Sequence, residues 1–92
     1  MIKNKKISII GLGYVGLPLA IEFSKNKFNV VGYDINNSRI KDLKNGLDKT
    51  GEVSKEEFEN LDILFSHDKE ILRNTDIFII TVPTPIDEFK QP

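Results

Sequence analysis

Lys6-Ile7-Ser8-Ile9-Ile10-Gly11-Leu12-Gly13-Tyr14-Val15-Gly16 decides how the rest of the chain is read. A short apolar run ends in three spaced glycines, and helix-like sequence follows from Val15 to Lys25. Strand, tight turn and helix is the order in which backbone can hold a dinucleotide's pyrophosphate. Gly11 lets the strand turn sharply. Gly13, lacking a Cβ, lets backbone approach the phosphates, and Gly16 lets the new helix lie close against the strand. The helix N-terminus then offers unpaired N–H groups and partial positive charge to an anion. Spaced glycines also occur in plain structural turns, so the strand before them and the helix after them carry the reading.

The next signal lies downstream. Phe28-Asn29-Val30-Val31-Gly32-Tyr33-Asp34 reads as a second strand that ends in an acid, 18 residues after Gly16. An acidic residue about 20 residues past the glycines can hydrogen-bond the adenosine ribose hydroxyls. A 2′-phosphate there would set two anions together, so Asp34 points to NAD over NADP. Arg39 follows at the start of a second helix, where it either covers the adenine or ribose or is a solvated helix arginine.

Around these anchors the elements follow in order. The first strand spans Lys5 to Ile10, β-branched and suited to a parallel strand covered on both faces. The first helix runs from near Tyr14 to near Lys25, with Val15, Leu19, Ala20 and Phe23 on its buried face. Pro18 predicts a loose first turn or a late start. Asn36 or Asn37 caps the second helix, Ile40, Leu43 and Leu47 form its inner face, and Gly46 stops it. Ser54-Lys55-Glu56-Glu57 is a capping box that opens a short helix burying Phe58 and Leu61. Ile63-Leu64-Phe65 is a short third strand, followed by His67, which is read as a turn residue. Asp68 to Asn74 is a short amphipathic helix with Ile71 and Leu72 inward. Asp76 to Val82 is the fourth strand, whose apolar run suits the centre of a parallel sheet. It ends in Pro83-Thr84-Pro85, a stiff loop at a strand's carboxyl end. In a 3-2-1-4 order this loop and the glycine turn face one crevice, where α/β sheets bind ligands. Thr84 has a hydroxyl to offer there; a rigid loop exit with no ligand contact is the plainer alternative. The expected fold is therefore α/β, a partial Rossmann fold with a parallel sheet of about four strands flanked by helices.

Composition narrows the classes. The 92 residues suit one small domain. Net charge is −1 and the 13 basic residues are dispersed, against a nucleic-acid surface built on bulk charge. There is no cysteine and a single histidine, which excludes a disulfide framework, a thiolate site and a multi-histidine metal cluster within these residues. The apolar runs are too short to span a bilayer, so no membrane partner is expected and the cytoplasm is the default location.

Gly11-Leu12-Gly13-Tyr14-Val15-Gly16-Leu17-Pro18, Tyr33-Asp34-Ile35-Asn36 with Arg39, and Val82-Pro83-Thr84-Pro85 together resemble the start of the UDP-glucose/GDP-mannose dehydrogenase family. The connector Leu47 to Val53, Thr81 to Asp87 and Lys90-Gln91-Pro92 look closest to its bacterial branch acting on UDP-N-acetylhexosamines. The resemblance implies an NAD-dependent enzyme that oxidises a sugar C6 hydroxymethyl twice, yielding a uronic acid for surface polysaccharides. In that family a cysteine forms a thiohemiacetal and then a thioester, and a lysine helps stabilise oxyanion charge. Carried over by resemblance, the cofactor residues are Gly11, Gly13, Tyr14, Val15, Gly16, Asp34, Arg39, Val82, Pro83 and Thr84. No catalytic residue carries over, because the family's cysteine, its sugar domain and its subunit-pairing helix fall beyond Pro92. On this reading the chain is an N-terminal part of a dinucleotide-binding domain, inactive alone, from a homodimeric enzyme whose missing part meets the UDP-sugar. The alternatives are a non-catalytic NAD-binding or sensing module, or another Rossmann dehydrogenase of the hydroxyacid or 6-phosphogluconate type. The Pro-Thr-Pro loop argues against the second of these, and a methyltransferase fits the glycines less well.

Overall fold

A computed structural model describes residues 4–51, 53–59 and 61–81. Four strands form one parallel sheet: β1 (Lys6–Ile10), β2 (Asn29–Tyr33), β3 (Leu64–Ser66) and β4 (Ile77–Ile80), in the order β3-β2-β1-β4. Among the described residues three α-helices connect them, α1 (Gly16–Lys25), α2 (Asn37–Lys44) and α3 (Lys55–Glu59), with a 3-10 turn at Lys69–Leu72. Ile7 pairs with Val30 on one side and with Ile77 on the other, and Ile10 lies between Tyr33 and Ile80. The carboxyl ends of β2 and β4 are therefore level with the glycine turn.

The core gathers Ile7, Ile9, Leu12, Leu17, Ala20, Val30, Ile40, Leu43 and Phe65. Ser8 is fully buried at the middle of β1. Its hydroxyl lies 2.6 Å from that of Thr75, which itself donates to the Leu72 carbonyl at 2.7 Å. The Ser8 hydroxyl is thus the donor of the pair, and its buried oxygen is satisfied. Lys6 Nζ donates to the carbonyls of Ile71 and Arg73 at 2.6 and 2.7 Å, which fastens the 3-10 turn to β1.

Helix α1 begins at Gly16, after a Val15 N-cap that makes no side-chain capping bond. Pro18 is its third residue. The flanking rungs close, Leu17 N–H to the Gly13 carbonyl at 3.3 Å and Leu19 N–H to the Val15 carbonyl at 3.2 Å. Only the rung that proline cannot supply is missing, and the long distances show the loose first turn expected of it. The buried face differs from the expected one. It is Gly16, Leu17, Ala20, Ile21 and Ser24, whereas Val15 is exposed and Leu19 and Phe23 are half-buried. The cause is Gly16: pressed against the glycine turn, it sets the helix's rotation about its axis.

Helix α1 ends in a Schellman motif with Lys27 at φ 69°. Lys27 N–H donates to Ser24 and Phe28 N–H to Phe23, and the two rings meet edge-on with centroids 5.4 Å apart. Helix α2 ends the same way at Gly46, φ 75°, with Gly46 N–H to Leu43 and Leu47 N–H to Asp42. Leu47 is the residue beyond that stop, which is why it is exposed and not on the inner face. The Ser54–Glu57 capping box forms reciprocally, at 3.1 and 3.4 Å.

One further expectation is corrected. The segment after His67 makes one 3-10 turn, capped by Asp68, and not an α-helix. Strand β4 takes the place beside β1 that the 3-2-1-4 order gives it, with Phe78 and Ile80 exposed among the described residues. Its apolar run marks a strand with one face covered here and one face open.

Candidate functional site: the glycine-turn cleft

The three glycines of the turn after β1 differ in their surroundings. Gly11 has φ 96°, a conformation that favours glycine, and its N–H donates to the Tyr33 carbonyl at 2.9 Å. Gly16 faces backbone so closely that a Cβ there would overlap the Gly11 carbonyl oxygen and the Thr81 hydroxyl. Gly13 is the opposite case, because a Cβ built on it meets nothing within 4 Å. Gly11 and Gly16 are thus glycines for the fold, whereas Gly13 faces open space.

Leu12 anchors the turn. Its side chain is fully buried, its N–H donates to Asp34 Oδ2 at 2.8 Å, and its carbonyl accepts from Arg39 Nε at 2.7 Å. Asp34 stands one residue beyond β2, and its Oδ1 accepts from Asn36 N–H at 2.9 Å. Asn36 in turn caps α2, its Oδ1 accepting from Arg39 N–H at 3.1 Å. An ionised carboxylate has about four acceptor positions. Two are used by backbone, so the Asp34 carboxylate keeps capacity for hydroxyl donors.

Arg39 is not the solvated helix arginine that the sequence left open. Its side chain is 11% exposed, and Nη1 meets Asp48 Oδ1 at 2.7 Å. Asp48 is fully buried at its side chain and also accepts from Thr50 N–H, the Thr50 hydroxyl and Val53 N–H, at 3.0, 2.6 and 2.9 Å. Burial pushes the Asp48 carboxyl up, but the bonds from Thr50, Arg39 and Val53 outweigh it and hold it lowered to about 2. Arg39 Nη2 is buried without a hydrogen-bond partner among the described residues.

These residues surround a cavity of about 480 Å³ lined by Ile10, Gly11, Leu12, Gly13, Tyr33, Asp34, Ile35, Asn36, Arg39 and Thr50. That volume lies in the usual range for small-molecule clefts. The structure thus brings Gly11, Gly13, Asp34 and Arg39 together on one cavity. Tyr14 and Val15 are exposed on the turn that leads into α1, and Gly16 packs beneath it. Val82, Pro83 and Thr84 lie outside the described residues. Helix α1 carries no acidic residue in its first turn, leaving its N-terminal partial charge uncancelled.

Three contributors escaped the sequence reading. Thr81, the last described residue, donates from its hydroxyl to the Gly11 carbonyl at 2.8 Å and wedges the turn against β4. Asp48 and Thr50 sit in the Leu47 to Val53 connector, to which the sequence reading gave no place in the site. The spacing Asp48-Lys49-Thr50 is itself the signal for a side chain that folds its own turn. Among the described residues no helix is long and apolar enough to cross a membrane.

A parallel sheet of this order, with glycine turn and strand-end acid at its carboxyl edge, defines a Rossmann-type nucleotide-binding unit. The family model described as "UDP-glucose/GDP-mannose dehydrogenase family, NAD binding domain" matches residues 5–92. The chain belongs to the UDP-glucose/GDP-mannose dehydrogenase family, of which it carries the NAD-binding domain sequence. It is 49% identical to protein CapL of Staphylococcus aureus over 97% of its own length and 21% of that protein's. It is 50% identical to a UDP-N-acetyl-D-glucosamine 6-dehydrogenase of Pseudomonas aeruginosa, over 98% and 21%. The solved structure of a UDP-D-ManNAc dehydrogenase from Pyrococcus horikoshii superposes with a TM-score of 0.79 at 36% identity, over 89% of this chain and 21% of that one. The chain therefore spans about a fifth of the length of the relatives it matches.

Proposed function

We propose that residues 1–92 are the first part of the NAD-binding domain of a nucleotide-sugar 6-dehydrogenase, acting on a UDP-sugar and within that class on a UDP-N-acetylhexosamine. The full protein oxidises the C6 hydroxymethyl to a carboxylate and uses two NAD per sugar. NAD, when bound, supplies the hydride acceptor. The relatives named as UDP-N-acetyl-D-glucosamine 6-dehydrogenase support the sugar class. The proposed site is the cleft of the glycine turn. One observation carries it: the Asp34 carboxylate is bonded to the Leu12 N–H of the turn and lines the same cavity as the open face of Gly13.

Each residue has a task in that cleft. Gly13, Tyr14 and Val15 present backbone where the pyrophosphate approaches the start of α1. Gly11 and Gly16 hold the backbone in the shape that permits this. Asp34 accepts the adenosine ribose hydroxyls and disfavours a 2′-phosphate by like charge. Arg39 supports the turn from the ribose side. Val82, Pro83 and Thr84 belong to the opposite wall in this proposal. The sugar pocket, the catalytic groups and a homodimer interface belong to the rest of the protein, which is placed in the cytoplasm.

The test is stoichiometric. The full-length protein, given UDP-N-acetylglucosamine or UDP-N-acetylgalactosamine with NAD, yields two NADH for each UDP-sugar consumed. No NADH from any UDP-hexose or UDP-N-acetylhexosamine, with NAD bound, sinks the dehydrogenase assignment.

A further inference from the structure

An arginine and a carboxylate at the ribose end of a dinucleotide site make opposite demands. A carboxylate bonds the 2′-hydroxyl, and an arginine nearby accommodates a 2′-phosphate. Both stand on this cavity, as Asp34 and Arg39. The outcome depends on how the arginine's charge is engaged. Arg39 Nε is held by the Leu12 carbonyl at 2.7 Å and Nη1 by Asp48 Oδ1 at 2.7 Å. The Asp48 side chain is fully buried, so solvent and salt screen this pair poorly. The guanidinium cannot swing toward a phosphate without breaking both bonds. Asp48 is fixed in its turn by three donors from Thr50 and Val53, and Thr50 reaches the cavity itself.

We infer that Asp48 is a specificity-determining positioning residue. By pairing with Arg39 in the buried wall of the cleft, it cancels the charge that would favour a 2′-phosphate, and so reserves the ribose end for NAD over NADP. The inference rests on the proposed placement of the adenosine ribose at Asp34. Asp48 touches no cofactor atom in this account; it acts through Arg39. A purely structural role, holding the 48–53 connector in shape, would affect both cofactors alike.

Calorimetric titration of the full-length protein with NAD and with NADP separates the two roles. The readout is the ratio of the NADP to the NAD dissociation constant. Asp48→Asn keeps an acceptor for Thr50 but frees the arginine's charge, and the ratio falls by about tenfold, the size of one partly screened charge contact. Arg39→Gln leaves the Asp48 carboxylate unbalanced beside the ribose end, and the ratio rises by a similar factor. An unchanged ratio in either folded variant, with both affinities lowered together, overturns the inference. If one variant does not fold, the other decides.

Should neither fold, the wild-type protein decides. With Arg39 cancelled, the 2′-phosphate meets net negative charge, so the ratio falls as salt is raised. A ratio that is flat or rises with salt means that Arg39 still offsets Asp34, and overturns the inference. Failure of the underlying placement looks different: a folded wild-type protein that binds NADP as tightly as NAD refutes the Asp34 role.

Discussion

Alanine at Gly13 and alanine at Gly16 should have opposite consequences, although the two glycines belong to one motif and sit three residues apart. At Gly16 the added Cβ overlaps the Gly11 carbonyl oxygen and lies 2.9 Å from the Gly11 carbonyl carbon. Those are backbone atoms at a residue with φ 96°, and they cannot rotate away as a side-chain tip would. Such overpacking costs about 1–3 kcal/mol and more where backbone must move, so the expected loss is at the upper end, ~3 kcal/mol. At Gly13 the Cβ meets nothing within 4 Å, and Gly13 is not among the positive-φ residues. Replacing glycine at a compatible site gains about 0.4–1 kcal/mol through the unfolded chain. Gly13→Ala should therefore fold as well as the wild type or slightly better. Its methyl instead occupies the space proposed for the pyrophosphate, and NAD affinity should fall by roughly 10- to 100-fold, equivalent to about 1.4–2.8 kcal/mol. Chemical denaturation gives the stabilities and calorimetry gives the affinities. If Gly13→Ala binds NAD as tightly as wild type while folded, the pyrophosphate does not pass over Gly13. If Gly16→Ala is as stable as wild type, the packing argument for the motif is wrong.

The remaining expectations concern the supports of the turn. Asp48→Ala leaves the Arg39 guanidinium buried without its counter-charge, and breaking such a pair costs about 3–5 kcal/mol in urea unfolding. The folded Asp48 carboxyl is lowered from 3.8 to about 2, so its stabilisation is complete above its unfolded value and is lost as pH falls from 3.8 toward 2. That contribution is about 2 kcal/mol, and Asp48→Asn should flatten the acid limb of a stability–pH curve in that window while a parallel curve would contradict it. Thr81→Val removes the hydroxyl that donates to the Gly11 carbonyl at 2.8 Å, and should cost about 1–3 kcal/mol by thermal unfolding. Lys27→Gly relieves a left-handed lysine at the end of α1 and should raise stability by up to about 1 kcal/mol, read by the same method.

The architecture was legible because its signals are local. β-Branched runs, two capping sequences and the glycine turn each carry their own geometry, and the 3-2-1-4 sheet follows from joining them with short crossovers. Asp34 was legible for the same reason, since its distance from the glycines is set by one strand–helix–strand unit. What depended on long-range packing was not. The rotation of α1 is decided by Gly16 against Gly11 and Thr81, so Val15 turned out exposed and Ile21 buried. Arg39 and Asp48 lie nine residues apart on different segments, and neither residue type announces burial. Only the fold brings them within 2.7 Å and makes an arginine whose place the sequence left open into part of the cleft wall. Phe78 and Ile80 show the converse: an apolar run states that a strand is fit for burial, not that the described residues bury it.

The central claim is that a dinucleotide lies along the glycine turn with its adenosine ribose on Asp34. A crystal structure of the full-length protein with NAD tests it most directly. The account predicts the pyrophosphate over Gly13 at the start of α1 and the ribose hydroxyls within hydrogen-bonding distance of the Asp34 carboxylate. NAD bound elsewhere, or a ribose turned away from Asp34, would contradict it.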